Sequence, residues 1–161
     1  CDASPKYSDL KGVKLPHGLK GYFDYEEGLA CAKEQNKPVL LDFVGHSCKN
    51  CKKMYADVWS DPEILNILKE EYIVIALYTD ERAKLPEDEW IKSDIDGKIK
   101  KTIGKKNIDF EISKFGTNAL PLYVILDTDG NTITNPGTYT YNPSIADFKA
   151  YLTQGVKNFK K

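Results

Sequence analysis

Apolar residues in this chain gather into three short runs, separated by stretches where they recur every three or four positions. The runs are Val39-Leu-Leu-Asp-Phe-Val44, Ile73-Val-Ile-Ala-Leu-Tyr78 and Pro121-Leu-Tyr-Val-Ile-Leu126. Each has strand length, and a run without alternation predicts a strand buried on both faces. Between them the period is helical. Asp24 followed by Glu27 resembles a capping box, and Leu29 and Ala32 begin an apolar face, which predicts a helix over 24–36. A helix is expected through Cys48–Asp57, and another from Ser60-Asp61-Pro62-Glu63, where Pro62 suits the first turn and Ile64, Leu65, Leu68 and Tyr72 form the inner face. A helix near 107–115 stops at Gly116. The last opens at Asn142-Pro143 and carries Ile145, Phe148, Leu152, Val156 and Phe159 at spacings of three and four. Asp96-Gly97 and Asp129-Gly130 predict hairpin turns, the second leading into a strand over 131–134. Strands alternate with helices before a terminal hairpin, the order of a mixed sheet with helices on both faces.

The remaining stretches are polar. Residues 1–20, with Pro5, Gly12, Pro16 and Gly18, read as an extended arm or linker, leaving 21–161 as one domain. Within it, 80–106 carries an acidic block at Glu87-Asp88-Glu89 and a basic one at Lys98, Lys100, Lys101, Lys105 and Lys106, which reads as a solvated surface insertion. The length of 161 residues suits one domain. Hydrophobic residues at 41% and charged ones at 29% exclude wholesale disorder. With 23 basic against 24 acidic residues, no basic footprint for nucleic acid is present. No apolar run approaches the roughly 20 residues of a bilayer-spanning helix. The chain opens at Cys1 without a charged and apolar targeting stretch, so Cys1 reads either as the boundary of a larger protein or as a lipidated cysteine.

Candidate chemistry concentrates in one segment. Four cysteines are too few for a disulfide scaffold, but Cys48-Lys49-Asn50-Cys51 follows a buried-type strand and opens a helix. The unpaired N–H groups of a helix start stabilise an anion, so a thiol in the first turn becomes more acidic. A fall in thiol pKa from about 8.5 to about 7 raises the thiolate fraction at neutral pH from roughly 3% to 50%. Lower nucleophilicity returns about fivefold of that gain, so such tuning sets the direction of exchange more than its speed. Cys48, at the exposed start, is the expected attacking thiolate. Cys51, one turn deeper and within disulfide reach, is the expected resolving thiol.

Asp42 interrupts the first apolar run six residues before Cys48. It reads either as a poorly solvated carboxyl that accepts and returns the Cys51 proton through a water, or as a strand-end aspartate facing solvent. Pro121 opens the third run. Only about 5–6% of X–Pro bonds are cis, so the residues alone favour trans. His46 either stabilises the thiolate as an imidazolium or faces solvent. Cys31, beside Leu29 and Ala32, reads as a small buried apolar side chain. His46, Cys48 and Cys51 offer three metal ligands, one short of the usual structural zinc set.

Val39-Leu-Leu-Asp-Phe-Val-Gly-His-Ser-Cys-Lys-Asn-Cys-Lys52 resembles the thioredoxin active-site segment, and Leu120-Pro121 is similar to its cis-proline loop. Lys37-Pro38, Val58-Trp59-Ser60-Asp61-Pro62, the 21–27 stretch and Lys114–Pro121 more narrowly resemble the C-terminal periplasmic domain of DsbD-type thiol:disulfide interchange proteins, in Bacteroides-like versions. This likeness spans about residues 18–160. It implies an α/β thioredoxin fold, a mixed central sheet flanked by helices, with an N-terminal arm and an insertion before the cis-Pro strand. It implies Cys48 as nucleophile, Cys51 as resolving thiol, Asp42 for proton transfer and Pro121 as the cis proline where substrate backbone docks. Leu120, His46, Ser47, Lys49 and Asn50 are the expected substrate contacts. No cofactor beyond a redox-active Cys48–Cys51 disulfide is implied. The implied partners are periplasmic disulfide-containing oxidoreductases and a membrane-embedded redox domain of the same larger protein, on the periplasmic face of the inner membrane.

The sequence departs from the family at three places. Ser47 stands where thioredoxins carry tryptophan, Lys49-Asn50 replaces Gly-Pro, and Tyr55 stands where DsbD-type domains often place a second acid. Two other classes stay open at this stage: a peptide-binding adaptor with an inert Cys48–Cys51 disulfide, and a metal carrier using the same cysteines.

Overall fold

In the computed structural model, which describes Cys1 and residues 4–161, the three apolar runs are the three strands of the central sheet. They are β1 (Val39–Val44), β2 (Ile73–Tyr78) and β5 (Leu122–Leu126), and every residue in them is buried. The sheet order is β2-β1-β5, with β1 parallel to β2 and antiparallel to β5. Register places Asp42 between Ala76 and Tyr123. Single bridges extend it at both edges, from Tyr22 to Ile75 and from Tyr123 to Tyr139.

Alternation along the strands splits the core in two. Leu40, Val44, Val74, Ala76, Tyr123 and Ile125 face one layer. There α2 (Lys49–Asp57) supplies Met54, α3 (Pro62–Glu71) supplies Leu68, α5 (Ile145–Phe159) supplies Phe148 and Leu152, and the turn between α2 and α3 supplies Trp59. Leu41, Phe43, Ile75, Leu77 and Val124 face the other, beneath α1 (Tyr25–Gln35) and α4 (Ile103–Phe115). The α/β thioredoxin-like architecture with helices on both faces is thus present. Trp59 anchors the first layer, fully buried against Tyr55, Tyr123 and Phe148.

Helix starts follow their caps. The side chains of Asp24, Asp61, Thr102 and Ser144 each accept a backbone N–H of the following turn. Two boundaries therefore differ from the sequence reading. Thr102 starts α4 at Ile103, four residues before the expected 107, and Ser144 rather than Asn142 caps α5. The Asp96-Gly97 hairpin forms between β3 (Ile91–Lys92) and β4 (Ile99–Lys100). Asp129-Gly130 turns the chain too, but 131–134 gives one bridge, Leu126 to Thr132, instead of a strand. Pro136 follows closely and has no N–H to continue a ladder.

The first twenty residues are more than an extended arm. Val13 and Leu15 are buried in the first core layer, and the Lys14 carbonyl accepts the Tyr78 hydroxyl at 2.8 Å. Cys31 is buried as expected, yet it is bonded to Cys1, a pairing that two cysteines 30 residues apart did not suggest. Both Leu120–Pro121 and Asn135–Pro136 are cis, against the general trans preference of the residues. Among the described residues, no helix is long and apolar enough to cross a membrane.

Candidate active site

Cys48 is the N-cap of α2, and its sulfur accepts the Cys51 backbone N–H at 3.1 Å. A helix normally fills this place with an oxygen from Ser, Thr, Asp or Asn. Here sulfur meets the orphan donors and the positive end of the helix dipole, the environment that favours a thiolate over a thiol. Cys48 is half-buried and disulfide-bonded to Cys51, whose side chain is 1% exposed. Cys48 is the more exposed residue of the pair. Lys49 and Asn50 form the exposed first turn.

Asp42 is 0% exposed, so the solvent-facing reading does not hold. It lies between Leu40 and Val44 on the strand face that packs under α2, the face to which Cys51 and Met54 point. Burial penalises its charged form and pushes the carboxyl up to about 7, partly opposed by a hydrogen bond from the Tyr55 hydroxyl to Oδ2. Oδ1 has no hydrogen-bond partner among the described residues. The same burial, with the nearby Asp42 charge, holds the Tyr55 phenol well above its usual range.

The loop joining β1 to α2 is pinned from the end of β2. The Asp80 carboxylate accepts the backbone N–H groups of His46 at 2.8 Å and Ser47 at 3.1 Å. The His46 ring stacks on Tyr78, 4.5 Å between centroids, and its Nε2 is 3.0 Å from Glu81. Ser47 is exposed. Gly45 fits between two neighbours: a Cβ there would lie 3.2 Å from both the Asp80 carboxylate and a Leu120 methyl. That contact brings Leu120-Pro121 against the cysteine loop although 75 residues separate Gly45 from Leu120 in the sequence. On the other side lies a cavity of about 320 Å³, whose lining includes Gly12, Lys14, His46, Cys51, Tyr55 and Tyr78.

The fold therefore gathers every expected site residue around the end of β1. Three contributors were not among the expected site residues: Tyr55, noted only as a departure from the family, Asp80 and the 12–16 segment. Tyr55 carried a legible signal, since four residues after Cys51 is the same helix face. Asp80 and the segment carried none, because only the sheet order brings them there. Among the described residues, no group of three or more His, Cys, Asp or Glu side chains is arranged to hold a metal ion.

A family model for the thioredoxin-like domain matches residues 25–155. No curated protein matches the sequence significantly. Among solved structures, a DsbH oxidoreductase superposes with a TM-score of 0.64 at 18% identity, over 92% of this chain and 93% of the other. A thioredoxin from Thermus thermophilus gives 0.56 at 20% identity, over 83% of this chain and 85% of its own. The C-terminal domain of Neisseria meningitidis DsbD, oxidised form, gives 0.52 at 17% identity over 81% and 90%. At such identities the likeness concerns the fold.

Proposed function

We propose that this chain, which belongs to the thioredoxin-like domain family, is a thiol–disulfide oxidoreductase that works as a reductant outside the cytoplasm. In the reduced protein the Cys48 thiolate attacks a partner disulfide, one partner sulfur leaves, and a mixed disulfide forms. Cys51 then gives its proton to Asp42 and attacks the Cys48 sulfur. The second partner sulfur departs, so the partner gains two electrons and the Cys48–Cys51 disulfide remains. A donor dithiol resets it. On the DsbD-type likeness, that donor is a membrane-embedded redox domain of the same larger protein, and the acceptors are periplasmic disulfide-containing oxidoreductases. The partner segment docks in extended form beside Leu120 and Pro121, with Ser47, Lys49, Asn50 and the His46 loop as its other contacts.

The observation that carries this reading is the asymmetry of the two sulfurs. Cys48 is a half-buried helix N-cap, and its bonded partner Cys51 is fully buried on the face shared with Asp42. An inert structural disulfide has no use for that arrangement. Two measurements test the proposal. Cys48→Ser should abolish reduction of a protein disulfide, while Cys51→Ser should accumulate mixed disulfides visible by mass. The potential of the couple, equilibrated against a dithiol buffer, should fall below about −200 mV. A value near about −120 mV reverses the proposed direction. Full turnover by Cys48→Ser ends the reading altogether.

A further inference from the structure

We propose that Tyr55 is the positioning residue of the proton-transfer step: its hydroxyl holds Oδ2 of Asp42, leaves Oδ1 to exchange the Cys51 proton, and links that carboxylate to the cavity beneath the N-terminal segment. The inference rests on the dithiol reading above.

Geometry leaves few other candidates. Asp42 is fully buried, and three elements supply the titratable groups around it. From α2 come Cys51 and Tyr55, from β2 comes Tyr78, and from β5 comes Tyr123. The Tyr78 hydroxyl is committed to the Lys14 carbonyl. Tyr123 makes no hydrogen bond to the carboxylate, and Asp80 and Glu81, beyond the end of β2, are occupied with the His46 loop. Tyr55 is therefore the donor that meets the Asp42 carboxylate among the described residues. A buried carboxylate without a cation ionises only as far as such donors permit. One O–H on Oδ2 stabilises the anion without adding a positive charge that would hold it permanently ionised. It also fixes the rotation of the carboxyl, so the unpartnered Oδ1 is the atom free to take a proton.

Tyr55 additionally lines the cavity of about 320 Å³ with Cys51, His46, Tyr78, Gly12 and Lys14. A space of that size has room for water. Asp42 does not line this cavity itself, so the proton it receives from Cys51 reaches that side only past Tyr55. No electrons move in the step: the Cys51 S–H bond breaks, an O–H bond forms on Asp42, and the proton passes to water once the disulfide has closed.

The test is single-turnover reduction of a nitrobenzoate disulfide whose released thiolate is coloured. Attack by Cys48 releases the first equivalent and resolution by Cys51 the second. Tyr55→Phe should leave the first release unchanged. It should slow the second about fivefold at neutral pH and move its pH midpoint up by about one unit. In an Asp42→Asn background the same substitution should change nothing. A ring-fluorinated tyrosine placed at position 55, a stronger donor of nearly the same shape, should move the midpoint down, and it decides the matter if Tyr55→Phe does not fold. Unaltered second release in Tyr55→Phe, equal slowing in the Asp42→Asn background, or no shift with the fluorinated ring each overturns the inference. If the native protein gives no second release, the dithiol reading itself fails; if it gives both and Tyr55→Phe matches it, only the role of Tyr55 fails.

Discussion

Replacing Asp42 by asparagine should reverse its effect on stability with pH. In the native state burial pushes the carboxyl from its ordinary 3.8 up to about 7. Between those values the folded protein keeps a proton that the unfolded chain has lost. Folded Asp42 is therefore without penalty below about pH 4, and stability falls as pH rises through the window to about 7. At 1.36 kcal/mol for each pH unit, the loss amounts to about 4 kcal/mol by pH 8. Asparagine does not titrate, but it buries an N–H₂ beside an unsatisfied pocket wall, at a cost of about 1–3 kcal/mol at every pH. The variant should be less stable than the native protein at pH 4 and more stable at pH 8. The difference should swing by about 4 kcal/mol. Urea unfolding of both oxidised proteins at unit steps of pH measures it, since the disulfide removes the thiols from titration and other groups cancel in the difference. A difference that stays flat within about 1 kcal/mol would refute the claim that Asp42 is an ionisable group held in a dry environment.

Other outcomes follow from the same geometry. Gly45→Ala should destabilise by about 1 kcal/mol in urea and slow disulfide reduction, because the Asp80 carboxylate, fixed by two amides, and a Leu120 methyl must each give by a few tenths of an ångström. Asp80→Ala removes the acceptor of the His46 and Ser47 amides, so hydrogen exchange at those two amides should accelerate while core amides stay protected. Glu111 on α4 is 0% exposed, neither carboxylate oxygen has a hydrogen-bond partner among the described residues, and burial pushes it up to about 8. Stability lost to its ionisation should therefore appear as pH rises from the ordinary 4.5 to about 8, and level off above that. Glu111→Met should gain on the native protein by more than about 2 kcal/mol between pH 5 and pH 9, read by denaturant unfolding.

Much of the fold is legible in the chain because its strands are buried on both faces. Val39–Val44, broken only by Asp42, and Ile73–Tyr78 announce themselves as apolar runs, with boundaries matching those in the structure, since their apolar side chains are buried on both faces. Caps are less legible. Asn142-Pro143 and Ser144 compete within three residues for one helix start, and only side-chain geometry chose Ser144. The short bridges at Thr132 and Tyr139 lack any period long enough to read.

The site divides the same way. The C-x-x-C spacing and a charged residue inside an apolar run are local facts, and they suffice to propose Cys48, Cys51 and Asp42. Everything that tunes those residues comes from far along the chain: Tyr123 and Leu120 from β5 and its entry, Asp80 from the end of β2, Lys14 from the N-terminal segment. Sequence spacing fixes the chemistry of a dithiol because one helical turn sets the distance between its sulfurs. Tertiary structure alone decides how dry the carboxylate is and which hydroxyl it meets, because both depend on which strands lie side by side.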